Sequence, residues 1–164
     1  QDLKRREADI AIRHARPMQD DLIARKLEET PAYLCASPAY IAERGRPKSL
    51  AALKDHDFIG FDTVKSTVEG LASRGLAIQP GTIKTFSNDG DVIIALCHAG
   101  AGVMVTGADV IEQEGFLPLL TDAFSLPIPT WLVAHRELNT SRRIRLVFDA
   151  LADALSSKRK RAAP

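Results

Sequence analysis

The run of residues 32–45, Ala-Tyr-Leu-Cys-Ala-Ser-Pro-Ala-Tyr-Ile-Ala-Glu-Arg-Gly, constrains the fold more than any other stretch of the chain. An apolar, strand-like segment runs directly into Ser37, whose hydroxyl can accept from the unpaired N–H groups of a helix start. Pro38 suits the first helical position, and Gly45 can take the left-handed conformation just past the last turn. A strand from Ala32 to Ala36 therefore passes without a loop into a short helix over 38–44. A chain that repeats this passage must build an α/β fold, because each helix needs a sheet face against which to bury its apolar side.

The passage recurs along the chain. Residues 8–13, Ala-Asp-Ile-Ala-Ile-Arg, read as a strand after a charged stretch that ends a helix; Pro17 to Asp21 is turn-like, and Leu22 to Leu27 is a short strand. Ser49 caps a second short helix through Lys54, and Phe58 to Phe61 is a strand ending at Asp62. A polar, glycine-bearing stretch without an element follows to Gly81, and Thr82 to Ser87 restarts a strand. Asn88 or Asp89 is the cap of an apolar helix from Asp91 to Ala99, which Gly100 stops. Val103 to Thr106 is a buried strand, Ala108 to Glu114 a helix stopped by Gly115, and Pro127 with Pro129 marks a loop. Thr130 to His135 is the last strand, and Arg142 to Leu155 is an amphipathic helix with the stripe Ile144, Phe148, Leu151 and Leu155. Strands alternating with helices predict a mainly parallel sheet with helices against its faces. No internal repeat or low-complexity segment is visible.

Charge and composition remove whole classes of function. The 164 residues, 45% hydrophobic and 26% charged, suit one globular domain or two small lobes. Twenty-two Lys and Arg against 21 Asp and Glu leave +1, too little for a field that holds a phosphate backbone. The basic run Lys158-Arg159-Lys160-Arg161 reads as a solvated tail, with nucleic-acid contact the lesser reading. The longest apolar stretch, Val92 to Val105, is interrupted by His98, Gly100 and Gly102 and falls short of the roughly 20 residues of a membrane span. Cys35 and Cys97 form no CxxC and no disulfide framework, which points to a cytoplasmic home. Gln1-Asp2-Leu3-Lys4-Arg5-Arg6 starts partway into an element, as a fragment would.

The chemistry-bearing residues are sparse. Gly100-Ala101-Gly102 follows a helix and precedes a strand, the reverse of a dinucleotide loop, and reads as a helix stop plus a tight strand entry. His14, His56, His98 and His135 have no metal-site spacing, and no nucleophile elbow occurs. Asp20-Asp21 and Asp89 with Asp91 stand in turn or cap positions, so no catalytic constellation, metal or cofactor is expected. Cys35 and Cys97 read as small core residues. Ligand binding remains, at the carboxyl ends of strands where helix N-termini offer unpaired N–H groups. Arg13-His14, Phe61-Asp62 and Ser87-Asn88 are such ends. The last is the best, since Ser87 and Asn88 carry hydrogen-bonding groups and Phe86 can pack on a ligand's apolar part, although plain capping explains the same residues. Arg13 can neutralise a carboxylate or simply hold a surface ion pair.

Several stretches together resemble one family. Glu7-Ala8-Asp9-Ile10-Ala11-Ile12-Arg13, Tyr33-Leu34-Cys35-Ala36-Ser37-Pro38-Ala39-Tyr40-Ile41, Gly45-Arg46-Pro47 with Leu50 and Leu53, and His56-Asp57-Phe58-Ile59 are similar to the effector-binding domain of LysR-type transcriptional regulators. Gly100-Ala101-Gly102-Val103, Gly115 with Leu117-Pro118-Leu119-Leu120, and Trp131-Leu132-Val133 with His135-Arg136 extend the likeness over essentially the whole chain. The resemblance implies a two-lobed fold like the type 2 periplasmic binding proteins, each lobe a mainly parallel sheet flanked by helices. Lobe II would be residues 37–130 and lobe I residues 1–36 with 131–164, joined by crossovers at Tyr33 to Ser37 and Thr130 to His135.

It also implies a sensor and dimerisation module rather than an enzyme. A small organic anion or amino-acid-like metabolite would bind in the inter-lobe cleft, shifting populations within a homodimer or tetramer. Candidate cleft residues are Arg13, His14, Phe86, Ser87 and Asn88, with Phe61 and Asp62 beside them. DNA would be bound only through an N-terminal winged helix-turn-helix that is absent from this sequence. The first strand-helix-strand of lobe I is absent too, and with it the hydroxyl residues of the cleft's other side. Lobe I is thus expected to be incomplete and to leave apolar surface that aggregates or borrows a partner's elements. Thr106 stands where many relatives have proline, and no site role is carried over to it. The alternative is a solute-binding protein of a transport system, against which the unpaired cysteines and the Ser37-Pro38-Ala39-Tyr40 crossover argue; a small α/β hydrolase ranks third.

Overall fold

The computed structural model describes residues 8–14, 17, 19–27, 29–136 and 141–160, the last four by backbone alone. The expected helix end before residue 8 and the solvated tail at Lys158 to Arg161 lie outside the described residues and side chains. The chain divides into two compact units, Gln1–Thr30 with Pro127–Pro164, and Pro31–Leu126.

The first unit holds β1 (Ile10–Arg13), β2 (Leu22–Lys26) and β9 (Trp131–His135), with β9 central and antiparallel to both neighbours. Leu132, Val133 and Ala134 are all buried, as befits a central strand. The long helix α5 (Arg142–Lys160) lays Phe148 and Ala152 on Leu27, Leu132 and Ala134. Its stripe is shifted from the expected one. Leu151 is exposed and Ala152 is buried instead, because four residues on from Phe148 is about 40° around the helix and three residues on is about 60° the other way.

The second unit is built around β3 (Thr30–Ala36). β6 (Met104–Gly107) lies on one side of it and β7 (Leu117–Leu119) on the other, both antiparallel, and β8 (Leu126–Ile128) also pairs with β3. β4 (Phe58–Phe61) and β5 (Ile83–Ser87) run parallel, and a parallel bridge links Phe58 to Val103. Four helices complete the unit: α1 (Pro38–Arg44), α2 (Val64–Ala72), α3 (Gly90–His98) and α4 (Ala108–Glu114). Alternation along β3 splits the core. Leu34 joins Phe58, Leu53, Leu71 and Ile83 in one cluster, whereas Cys35 joins Ile59, Cys97, Met104, Ile111 and Phe116 in another.

Three expectations are corrected. The α/β class holds, but pairing is not mainly parallel among the described residues. β9 runs against both of its neighbours and β3 against β6 and β7, whereas β4–β5 and the Phe58–Val103 bridge are parallel. The stretch from Asp62 to Gly81 is not without structure: it holds α2 and a 3-10 turn at Pro80–Thr82. The prolines after Ser125 do not simply mark a loop, since Pro127 sits inside β8, and Pro118 likewise sits inside β7. Proline is compatible with short outer strands, where a missing N–H leaves no ladder bond unmade.

The short helices follow their punctuation. Ser37 accepts the Tyr40 N–H at 3.3 Å, and Ser49 accepts from Ala52 at the 3-10 segment Leu50–Asp55. Gly102 explains the tight turn into β6. Its φ is +154°, and a Cβ there would lie 2.5 Å from the Asp57 carbonyl oxygen, so only glycine lets the Val103 N–H reach that oxygen at 2.8 Å.

Candidate functional edge of the β4–β5 ribbon

Two helices begin where two parallel strands end. The chain leaves β4 at Phe61, turns at Asp62 and enters α2 at Val64; it leaves β5 at Ser87 and enters α3 at Gly90. Val64, Val68 and Leu71 of α2 pack with Phe58 and Ile83 on one face of the ribbon. Ile93, Ile94 and Cys97 of α3 pack with Ile59 on the other. Because the strands are parallel, both helix N-termini rise from the same edge, where backbone N–H groups and the helix dipoles favour polar ligand groups.

Hydrogen bonds fix this edge closely. The register sets Phe61 beside Ser87, and the Asp62 N–H donates to the Ser87 carbonyl at 2.8 Å. Thr63 caps α2 through its Oγ1, which accepts the Ser66 N–H at 3.1 Å, while Ser66 Oγ accepts the Thr63 N–H at 3.1 Å. Ser66 Oγ also reaches Asp62 Oδ2 at 3.3 Å. Of the two expected caps of α3, Asp89 is the one: its Oδ1 accepts from the Asp91 N–H at 2.9 Å and the Val92 N–H at 3.3 Å. Ser87 Oγ accepts the Asp89 N–H at 3.0 Å, and Asn88 is exposed between them.

Two large apolar side chains stand open here, Phe61 at 59% and Phe86 at 53% exposure. Their registers differ: Phe86 pairs with Gly60 and Phe61 with Ser87, which puts the rings on opposite faces of the ribbon. Asp62 has φ +67°, a left-handed backbone that a non-glycine residue adopts at an energetic cost. Phe61, Asp62, Phe86, Ser87 and Asn88 thus meet at one edge. Arg13 and His14 belong to the other unit, where Arg13 ends β1 opposite Trp131 and His14 is exposed just beyond it. Sequence reasoning missed Thr63 and Ser66, although their spacing is that of a reciprocal cap.

The other polar groups of the second unit are structural. The Tyr40 hydroxyl accepts the Asp57 N–H at 3.0 Å and lies 3.2 Å from His56 Nδ1, so its single proton points to the imidazole. Burial, and then the Arg44 charge, hold the His56 imidazole below its ordinary range, which suits an acceptor nitrogen. Cys35 and Cys97 are fully buried, and the bond to Cys97 together with burial pushes the Cys35 thiol up. In the first unit, Arg25, Lys26, Leu27, Glu29 and Ser156 line an open depression. Its cations already face carboxylates, Lys26 at 2.7 Å from Glu29 and Arg25 within 4.0 Å of Asp149 and Asp153. Among the described residues no group of His, Cys, Asp or Glu is arranged to hold a metal ion, and no helix is long and apolar enough to cross a membrane.

Comparison with known proteins agrees with this architecture. The family model for the LysR substrate binding domain matches residues 1–156. The HTH-type transcriptional regulator DmlR of Escherichia coli is 30% identical over 167 residues, covering 92% of this chain and 51% of that protein. The HTH-type transcriptional regulator CrgA of Neisseria meningitidis is 28% identical over 159 residues, covering 93% and 53%. The chain therefore spans about half the length of these relatives. The solved CrgA regulatory domain superposes with a TM-score of 0.77 at 24% identity, over 93% of this chain and 78% of that one. A family model that covers nearly the entire chain, on an α/β fold shared with a solved regulatory domain, shows that this chain belongs to the LysR substrate-binding domain family.

Proposed function

We propose that the chain is the effector-sensing part of a cytoplasmic LysR-type transcription regulator, without enzymatic activity of its own. A small organic anion or amino-acid-like metabolite would be read at the edge formed by Phe61, Asp62, Phe86, Ser87 and Asn88. The observation that carries the reading is the pair of helix starts at the carboxyl end of a parallel ribbon, with an open phenylalanine on each of its faces. Such an edge offers a ligand both hydrogen-bonding groups and apolar surface, the combination that defines small-molecule sites. DNA contact belongs to a segment outside this sequence, in keeping with a net charge of +1 here. The full regulator would work as a homodimer or tetramer, and effector binding would act by favouring one arrangement of it over another.

A thermal-shift screen of carboxylates, aromatic acids and amino acids tests the proposal. A true effector at about 100 times its dissociation constant should stabilise the chain by about 2.7 kcal/mol. The stabilisation should fall away in Phe86→Ala and Asn88→Ala. An effector whose shift survives Phe61→Ala, Phe86→Ala and Asn88→Ala unchanged would move the site elsewhere.

A further inference from the structure

Thr67 lies outside every strand end discussed so far, one turn into α2, yet its hydroxyl reaches back to β4. Oγ1 accepts the Phe61 N–H at 3.0 Å and stands 2.9 Å from the Phe61 carbonyl and 2.8 Å from the Thr63 carbonyl. A threonine hydroxyl has one proton and can accept twice, so it satisfies the last residue of β4 and its own helix together. The approach depends on Gly60. A Cβ at that position would lie 2.9 Å from Thr67 Oγ1, 3.1 Å from Ile83 Cγ2 and 3.3 Å from Phe86 Cβ. The missing side chain is thus the space that the Thr67 hydroxyl occupies.

Phe61 and Asp62 follow directly. The next amide, that of Asp62, is held by Ser87, and Asp62 itself sits at φ +67°. A left-handed non-glycine residue persists only where its neighbours over-determine it. Two bonds do so here, the Thr67 clasp on Phe61 and the Ser87 clasp on Asp62. We infer that Thr67 is the positioning residue of the effector edge, fitting into the gap at Gly60 and holding Phe61 and Asp62 in the conformation they present. This rests on the reading of that edge as the effector site.

Amide hydrogen exchange by NMR on this chain, comparing wild type with Thr67→Val and Thr67→Ser, tests the inference without a ligand. Valine keeps the branched shape and removes the hydroxyl, so the Phe61 amide should exchange about tenfold faster or more, with Asp62 following, while Leu71 and Ile83 keep their protection. Serine should restore the wild-type rates, and Gly60→Ala should reproduce the valine pattern by crowding Thr67 out. Unchanged exchange at Phe61 in Thr67→Val, or a rise shared equally by α2 and β5, overturns the positioning role.

A second arm separates this from the site reading. Benzoate and L-phenylalanine are titrated into wild type, and the amide shifts of Phe61, Asp62, Ser87 and Asn88 are followed. Shifts that weaken in Thr67→Val and return in Thr67→Ser support both statements. Shifts confined to other residues count against the edge as the site, while the exchange data still decide the role of Thr67.

Discussion

At the scale of single residues, the tightest demand falls on Gly102. Its backbone lies outside the ordinary range of L side chains and the Asp57 carbonyl fills the place of a Cβ, so Gly102→Ala combines strain with overlap. A loss of about 3 kcal/mol is expected in urea unfolding. His56 gives a pH signature. Its imidazole is held below the ordinary range in the fold, so the unfolded chain takes up the proton more readily and acid favours unfolding. The contribution is complete above the ordinary imidazole value of 6.5 and fades as pH falls below it. The urea midpoint of wild type should therefore drop between pH 7.5 and pH 5. His56→Gln keeps an acceptor for Tyr40 and should show a flatter profile over the same interval. Cys35 and Cys97 are buried without exposure, so both should resist a thiol reagent in the native state and react together on unfolding.

At the scale of elements, caps decided what could be read in advance. The helix Pro38–Arg44 was legible because Ser37, Pro38 and Gly45 each have a local physical reason to stand where they do. α2 was hidden by its composition. Lys65, Ser66, Thr67, Glu69 and Gly70 look like loop residues, while the apolar spacing of Val64, Val68 and Leu71 yields a helix only once a sheet face is there to receive it. Strand direction was not legible at all, since alternation carries a period and no sign. Phe61-Asp62 and Ser87-Asn88 could each be recognised as a strand end, but their adjacency comes from the parallel register of β4 and β5. Caps are also where element stability can be measured. Thr63→Ala removes one half of a reciprocal cap and should cost about 1 kcal/mol, with exchange rising first in the opening turn of α2.

At the scale of the whole molecule, the outward face of α5 matters most. Leu146 is 62% and Val147 47% exposed, on a helix whose opposite face is already committed to Leu132 and Ala134. Open apolar surface of this kind drives association. Light scattering of the isolated chain should show a concentration-dependent increase in mass, and Leu146→Lys with Val147→Glu should reduce it without lowering the unfolding midpoint. A wild-type chain that stays monomeric at millimolar concentration would rule this out.

The prolines of two strands that pair with β3 determine what form such association can take. Pro118 in β7 and Pro127 in β8 each delete a donor from the strands flanking β3, so an incoming chain finds the row of N–H groups interrupted. These two residues act as terminators on the β7 and β8 side: molecules that stick through α5 can cluster, but they cannot template one another into a continuous ladder along those strands. The resulting assemblies should dissolve on dilution and stay dark to an amyloid dye.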